Sequence, residues 1–173
     1  MKKTAVILMA ILISACSSSN KKPADKMYYR FPTNTIQPIT GLSIEVKRPS
    51  AMGILGNRPM VAQTSDAGLI QMNSNFWLES PKILLHNYLS EIFIKNDEKD
   101  SLILNSQILA LEKRQDEALL SIKFTLTDDE NQLIFDKTYK SQKQLSNNSI
   151  TAFAKAMANL IEDMVEQFSK DIL

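Results

Sequence analysis

Apolar residues recur at every second position in several short stretches in the first half of the chain. Leu42, Ile44 and Val46 alternate with polar side chains, which is the pattern of a strand with one buried face. A turn-forming sequence at residues 65–68 separates two further short segments of this kind. The pattern therefore predicts a series of short strands, at residues 27–31, 42–48, 58–64 and 69–72.

Helical spacing replaces this alternation after Ser80-Pro81, where a hydroxyl side chain precedes a proline at the first position of a helix. Apolar residues then recur every three or four positions as far as Phe93, and residues 96–99 end the helix in a polar turn. A meander of three longer antiparallel strands is predicted next, at residues 102–111, 120–127 and 133–143, with a turn at residues 128–131.

Residues 149–173 form a long amphipathic helix by the same criterion. Phe153 and Leu160 lie seven residues apart on one apolar stripe, so both are expected to face the sheet. The polar face mixes lysine with carboxylates instead of being basic, which favours packing on a sheet over binding to a membrane. The elements together predict an α+β fold, in which one antiparallel β-sheet carries two helices packed on one face.

The amino-terminal segment has a different pattern. Two lysines precede a wholly apolar run at residues 5–13, and the small residues Ser14 and Ala15 follow it. A basic start, a short apolar stretch and small residues at a cleavage position are typical of a secretory signal peptide, and the run is shorter than the roughly 20 residues that span a bilayer. Cleavage is expected between Ala15 and Cys16.

Cys16, the one cysteine of the 173 residues, stands directly after these small residues. The sequence Ile13-Ser14-Ala15-Cys16 resembles the lipobox of bacterial lipoproteins, in which the thiol is diacylated and the new amine is acylated after cleavage. The modification requires sulfur because a thiolate is the strongest nucleophile available near neutral pH. We therefore expect Cys16 to be a lipidation site; the alternative is a signal peptide with an incidental cysteine.

The residues after Cys16 predict where the protein is held. Many Gram-negative lipoproteins that stay at the inner membrane carry Asp at the position of Ser17, so by that resemblance the mature protein is expected at the outer membrane, facing the periplasm. Residues 17–26 are polar and aperiodic, which is typical of a flexible tether. The sequence thus divides into a lipoprotein signal peptide (1–15), the acylated cysteine and tether (16–26) and a single domain (27–173).

Charge and residue types exclude several classes of function. Removal of residues 1–15 takes away two of the 20 Lys and Arg residues and none of the 19 acidic ones, which leaves a net charge of −1 and no basic excess for nucleic acid. His86 is the single histidine, and Cys16 is expected to be acylated, so neither a zinc site nor Cys–His catalysis is expected. Without a phosphate-binding loop or a nucleophile motif, we expect no enzymatic activity, no metal and no cofactor.

An apolar loop at residues 49–57 is the remaining candidate for function. It has a proline and two glycines, yet it contains Met52, Ile54 and Leu55, whereas loops are usually polar. The loop either folds back onto the core or presents an apolar patch to a partner or to lipid. Met52, Ile54 and Leu55 are therefore candidate partner contacts.

Several short motifs follow the lipobox in order along the chain. They are Tyr28-Tyr29, RPMV at 58–61 and FWLESP at 76–81, and the three-strand meander and the terminal helix come after them. This order resembles the ABC-type transport auxiliary lipoprotein family, which includes the lipoprotein of the paraquat-inducible system. Leu78 and Ser80 stand where the family more often has Ala and Pro, and the loop at 49–57 is longer than usual.

The resemblance implies a non-enzymatic outer-membrane lipoprotein that is the auxiliary component of an ABC-type transport system for lipids or other hydrophobic compounds. Its partners would be a periplasmic mammalian-cell-entry-type (MCE-type) protein, which it docks at the outer membrane, and the permease and ATPase of the transporter; a homo-oligomer is a further candidate assembly. Two other functions stay open from the residues alone: a lipid-binding carrier, and a lipoprotein regulator of cell-wall synthesis.

Overall fold

The computed structural model describes residues 25–31, 37–96 and 101–173, so the predicted signal peptide, Cys16 and most of the tether lie outside the described residues. The described residues form eight strands: β1 (Met27–Tyr29), β2 (Ile44–Val46), β3 (Ser50–Ala51), β4 (Pro59–Gln63), β5 (Leu69–Trp77), β6 (Leu102–Arg114), β7 (Glu117–Thr127) and β8 (Leu133–Gln144). They also form a 3-10 helix (Gly53–Gly56) and two α-helices, α1 (Pro81–Ile92) and α2 (Ile150–Ile172).

The strands make one open sheet in the order β1-β5-β4-β6-β7-β8. Antiparallel pairing joins β4 to β5 and runs through β6, β7 and β8, as predicted for the meander. Parallel pairing joins β1 to β5, and it places β2, β3 and β4 in succession along the other edge of β6. The α+β class with two helices is confirmed, but the sheet is mixed where an antiparallel one was predicted, because alternation reports a buried face and not the direction of a neighbouring strand.

Both helices begin where the sequence predicts. The Ser149 hydroxyl oxygen accepts a hydrogen bond from the Ala152 N–H, which caps α2. Pro81 is the first residue of α1, although the preceding Ser80 makes no side-chain cap. The predicted polar turn after α1 lies mostly outside the described residues.

The two helices and the sheet enclose one hydrophobic core. Phe153 and Leu160 are both buried in it, which confirms the predicted face of α2. Near the other end of α2, the Phe168 ring stacks on Phe124 of β7 with 4.4 Å between ring centroids. Phe93, which follows α1, packs edge-on against Phe168 at 5.5 Å. The aromatic rings therefore join both helices to β7 of the sheet.

Three polar side chains hold the carboxyl end of α2 on β8. Lys137 Nζ lies 2.7 Å from Asp171 Oδ2, and the Tyr139 hydroxyl donates a hydrogen bond to the same oxygen. The hydrogen bonds from Lys137 and Tyr139 lower the pKa of the Asp171 carboxyl below its usual 3.8. Burial, and then the bond to Asp171, raise the pKa of Tyr139. The carboxylate form of Asp171 is therefore the form that the folded state stabilises.

Asp171→Asn should reduce the acid sensitivity of the fold. Because the pKa of Asp171 is lower in the folded chain than in the unfolded chain, its stabilising effect is complete above the unfolded value and is lost as pH falls through the folded value. The Tm difference between wild type and variant should therefore shrink as pH falls from about 7 to about 3. Asp163→Asn, on the exposed part of α2, is the matched control and should change Tm less at neutral pH. A difference for Asp171→Asn that stays constant with pH would contradict this.

Candidate functional site

The apolar loop at residues 49–57 is fixed against the sheet. The Met52 N–H donates a hydrogen bond of 3.0 Å to the Ile108 carbonyl of β6, and the Leu55 N–H donates one of 3.0 Å to the Met52 carbonyl. Gly53 has a φ of +47°, which glycine adopts without steric strain. The chain then makes the short 3-10 helix, so the loop is a defined turn with an inner and an outer side.

The three candidate contact residues of this loop have different surroundings. Leu55 is 4% exposed and belongs to the core, Ile54 is half-buried against that core, and Met52 is 54% exposed. Leu55 therefore lies in the core and is not exposed for a partner contact, because the 3-10 turn directs its side chain under the domain's own surface. Met52 stays the exposed candidate, with Ile54 beside it.

Polar groups that could carry chemistry are dispersed among the described residues. His86 lies half-buried on α1, and its Nδ1 atom is buried without a hydrogen-bond partner in the structure. Burial raises the pKa of Tyr88 to about 12, with smaller contributions from Glu162 and Glu91, so this phenol stays protonated at neutral pH. No group of three or more His, Cys, Asp and Glu side chains that could hold a metal ion is present in residues 25–31, 37–96 and 101–173.

The motif residues at 28–29, 58–59 and 76–77 meet at the β1 edge of the sheet. The Trp77 N–H donates a hydrogen bond of 2.7 Å to the Arg58 carbonyl, and Arg58 Nε donates one of 3.3 Å to the Trp77 carbonyl. Tyr28 is paired with Phe76 across the parallel β1–β5 ladder, and their ring centroids are 5.6 Å apart. These motifs therefore join β1, β4 and β5 into one unit.

Trp77 contributes to this unit from the core side. Its ring is 1% exposed and lies between Phe31, at 5.3 Å, and Phe153 of α2, at 6.1 Å. The FWLESP motif thus places Phe76 outside and Trp77 inside, because successive side chains of a strand point to opposite faces. Sequence reasoning identified both residues as markers but missed their contact with β1, since the parallel pairing connects segments almost 50 residues apart.

The described residues form several small cavities. An apolar one of about 290 Å³ is lined by Ile39, Thr40, Gly41, Leu42, Ile94 and Asn96. Its volume is just below the range of about 300–1,000 Å³ that encloses a drug-sized ligand. None of the helices described is long and apolar enough to cross a membrane.

Comparison with known proteins finds similarity in structure. No model of a protein family matches the chain, and no curated protein sequence matches it. The crystal structure of an uncharacterized protein has a TM-score of 0.74 at 18% sequence identity, with 86% of this chain and 99% of that chain covered. Protein XCC0632 from Xanthomonas campestris, of the DUF330 family, has a TM-score of 0.63 at 15% identity, with 86% and 97% covered. The chain shares its fold with both proteins.

Proposed function

We propose that this chain is a lipid-anchored periplasmic lipoprotein, held at the outer membrane by acyl chains on Cys16. We further propose that it is the auxiliary component of an ABC-type, MCE-linked transport system for lipids or other hydrophobic compounds. The observation that carries the proposal is the lipobox-type sequence at residues 13–16, which stands one short polar tether before the folded domain. The order of the later motifs supports the transport role.

The anchor and the tether limit how far the domain can move from the membrane. Acyl chains contribute about 0.8 kcal/mol for each methylene buried in a bilayer, so several chains on one cysteine give lasting attachment. Residues 17–26 can extend at most about 35 Å, so the domain stays within that distance of the membrane. A domain held there can dock a periplasmic component, whereas the ATPase belongs to another polypeptide.

Docking fits the described surface better than carriage of a lipid. The 290 Å³ cavity is open and small, while the interior between helices and sheet is filled by side chains such as Phe124, Phe153 and Phe168. Met52 supplies an exposed apolar side chain on a fixed loop, which is suited to contact with a protein. We propose no reaction for the chain itself, since the covalent chemistry at Cys16 is carried out on it by other enzymes.

Cys16→Ala should abolish acylation and membrane attachment, because no other thiol is present to accept the acyl chains. Cells grown with labelled palmitate should incorporate label into the wild-type protein and none into the variant. The variant should also keep its signal sequence uncut by the lipoprotein peptidase. Label in the Cys16→Ala protein would refute the anchor.

Ser17→Asp is the matched variant, because it keeps the cysteine and alters only the sorting position. It should remain labelled but move from the outer-membrane to the inner-membrane fraction. A pull-down of the wild-type protein from detergent-solubilised membranes should recover the MCE-type protein together with it. Unchanged fractionation of Ser17→Asp would count against the outer-membrane location, and recovery of the wild-type protein alone would count against the docking role.

A further inference from the structure

A row of two cations and two aromatic rings lies along the outer side of the β1–β5 edge. We call Lys26, Phe76, Tyr28 and Arg58 the cation–aromatic row. Lys26 Nζ lies 5.5 Å from the Phe76 ring centroid, the Phe76 and Tyr28 centroids are 5.6 Å apart, and Arg58 Cζ lies 5.3 Å from the Tyr28 centroid. Each cation is thus within the roughly 6 Å range of a cation–π contact.

The row is held in place by the strands beneath it. Tyr28 and Phe76 are register partners, so their rings leave the sheet on the same face. Arg58 is fixed by its two hydrogen bonds with the Trp77 backbone. Tyr29 and Trp77, the next residues of both strands, take the opposite face, and Trp77 is buried there. The row is therefore a fixed surface whose neighbouring residues anchor it in the core.

The two cations of the row, Lys26 and Arg58, make no ion pair with a carboxylate among the residues that the structure describes. Several other cations of the domain do make such pairs, among them Arg114 with Glu112, Lys123 with Asp136, Lys137 with Asp171 and Lys170 with Glu166. The aromatic part is open to contact, since Tyr28 is 50% exposed. The surface therefore fits a partner that is anionic and has an apolar layer within reach.

We propose that the cation–aromatic row rests on the anionic phospholipid headgroups of the membrane that holds Cys16. This inference rests on the proposed anchor. The row begins at Lys26, the last residue of the tether, so it is the part of the domain that has the shortest chain path to the membrane. Tyrosine rings suit the membrane–water interface, and Lys and Arg are attracted to anionic headgroups.

The test uses the acylated protein in vesicles and a single introduced thiol. Because Cys16 is acylated, Asn57→Cys provides one labelling position beside Arg58, just before β4, and Thr138→Cys provides one on β8, three strand spacings or about 14 Å from β4 across the sheet. Each labelled protein is incorporated into vesicles of phosphatidylcholine alone or with phosphatidylglycerol added. Energy transfer from the label to a headgroup-linked acceptor reports how close that position lies to the membrane.

Transfer from the Asn57→Cys label should be at least about twofold greater in the anionic vesicles and should fall when salt is raised to about 0.5 M. Transfer from the Thr138→Cys label should change little. Adding Lys26→Gln with Arg58→Gln should remove the difference between the two vesicles. The matched pair Lys140→Gln with Lys155→Gln, exposed lysines of β8 and α2, should leave it intact.

The outcomes separate this inference from the proposed function. If the protein floats with both kinds of vesicle and energy transfer is equal in the two, the contact of the row with headgroups is overturned, whereas the proposed anchor stands. The contact is also overturned if the difference in transfer between the two vesicles is lost in the row variant and in the Lys140→Gln, Lys155→Gln control alike. The effect would then depend on net charge and not on the cation–aromatic row. Protein that fails to float with vesicles overturns the proposed anchor and this inference with it. Tm values measured alongside confirm that all variants are folded.

Discussion

Replacing Phe168 by alanine should lower the free energy of unfolding by about 3–5 kcal/mol, at the upper end for a single truncation in a core. The Phe168 side chain is 0% exposed. Its ring stacks on Phe124 at 4.4 Å and contacts three other rings, those of Phe93, Phe135 and Tyr139, at 5.5–6.3 Å. Removal therefore leaves a cavity and also takes away aromatic contacts worth about 0.5–1.5 kcal/mol per pair.

Urea denaturation of the mature chain measures this effect directly. Gln167→Ala is the matched control, because Gln167 is the exposed neighbour on the same helix and its truncation removes no core contact. The Gln167→Ala control should change the free energy of unfolding by less than about 0.5 kcal/mol. Equal effects at positions 167 and 168 would show that α2 is not held on the sheet by this aromatic group.

The helix that carries Phe168 could be predicted because its signal is local. One apolar stripe repeats over residues 150–172, and it needs no knowledge of the partner surface. The hairpins of β6, β7 and β8 were predictable for the same reason, since short turns connect strands that pair with their neighbours in sequence. The pattern predicts a strand that ends at residue 72, but β5 continues through the polar residues 73–75 to Trp77. The end of β5 pairs with β1, a partner that the local pattern does not show.

The mixed character of the sheet depends on pairings that no local pattern carries. β1, β2 and β3 have three residues or fewer, and each runs parallel to a strand far along the chain. Such strands are stabilised by the edge that receives them and not by their own alternation. The cation–aromatic row was missed for the same reason, since Tyr28 and Phe76 become neighbours only after β1 pairs with β5.

The sequence of the loop at 49–57 leaves one question about the candidate site open. Its composition predicts that apolar side chains must be covered, but it does not say by what. The 3-10 turn that starts at Gly53 decides the matter by directing Leu55 inward and leaving Met52 outside. Two residues that are equivalent in the sequence pattern therefore have opposite roles in the structure, and the same substitution at each position can separate them.

Leu55→Asp should destabilise the domain by more than about 4 kcal/mol, because it removes about 1.5–3 kcal/mol of apolar burial and places a carboxylate without a partner in the core. Against a typical total of about 5–15 kcal/mol, this change should leave much of the chain unfolded near growth temperature. Thermal unfolding followed by circular dichroism measures the difference from wild type, and a Tm within a few degrees of wild type would show that Leu55 is not covered by its own domain.

Met52→Asp introduces the same carboxylate at a position that is 54% exposed, so the Tm should stay close to that of wild type. If Met52 contacts the proposed MCE-type partner, the variant should nevertheless lose most of its co-purification with that protein, since an unpaired carboxylate is costly at an apolar interface. Met52→Leu keeps the apolar side chain and should retain binding. Normal recovery of the partner by a folded Met52→Asp protein would remove Met52 from the docking surface and move the search to other exposed apolar residues, beginning with Ile134 of β8.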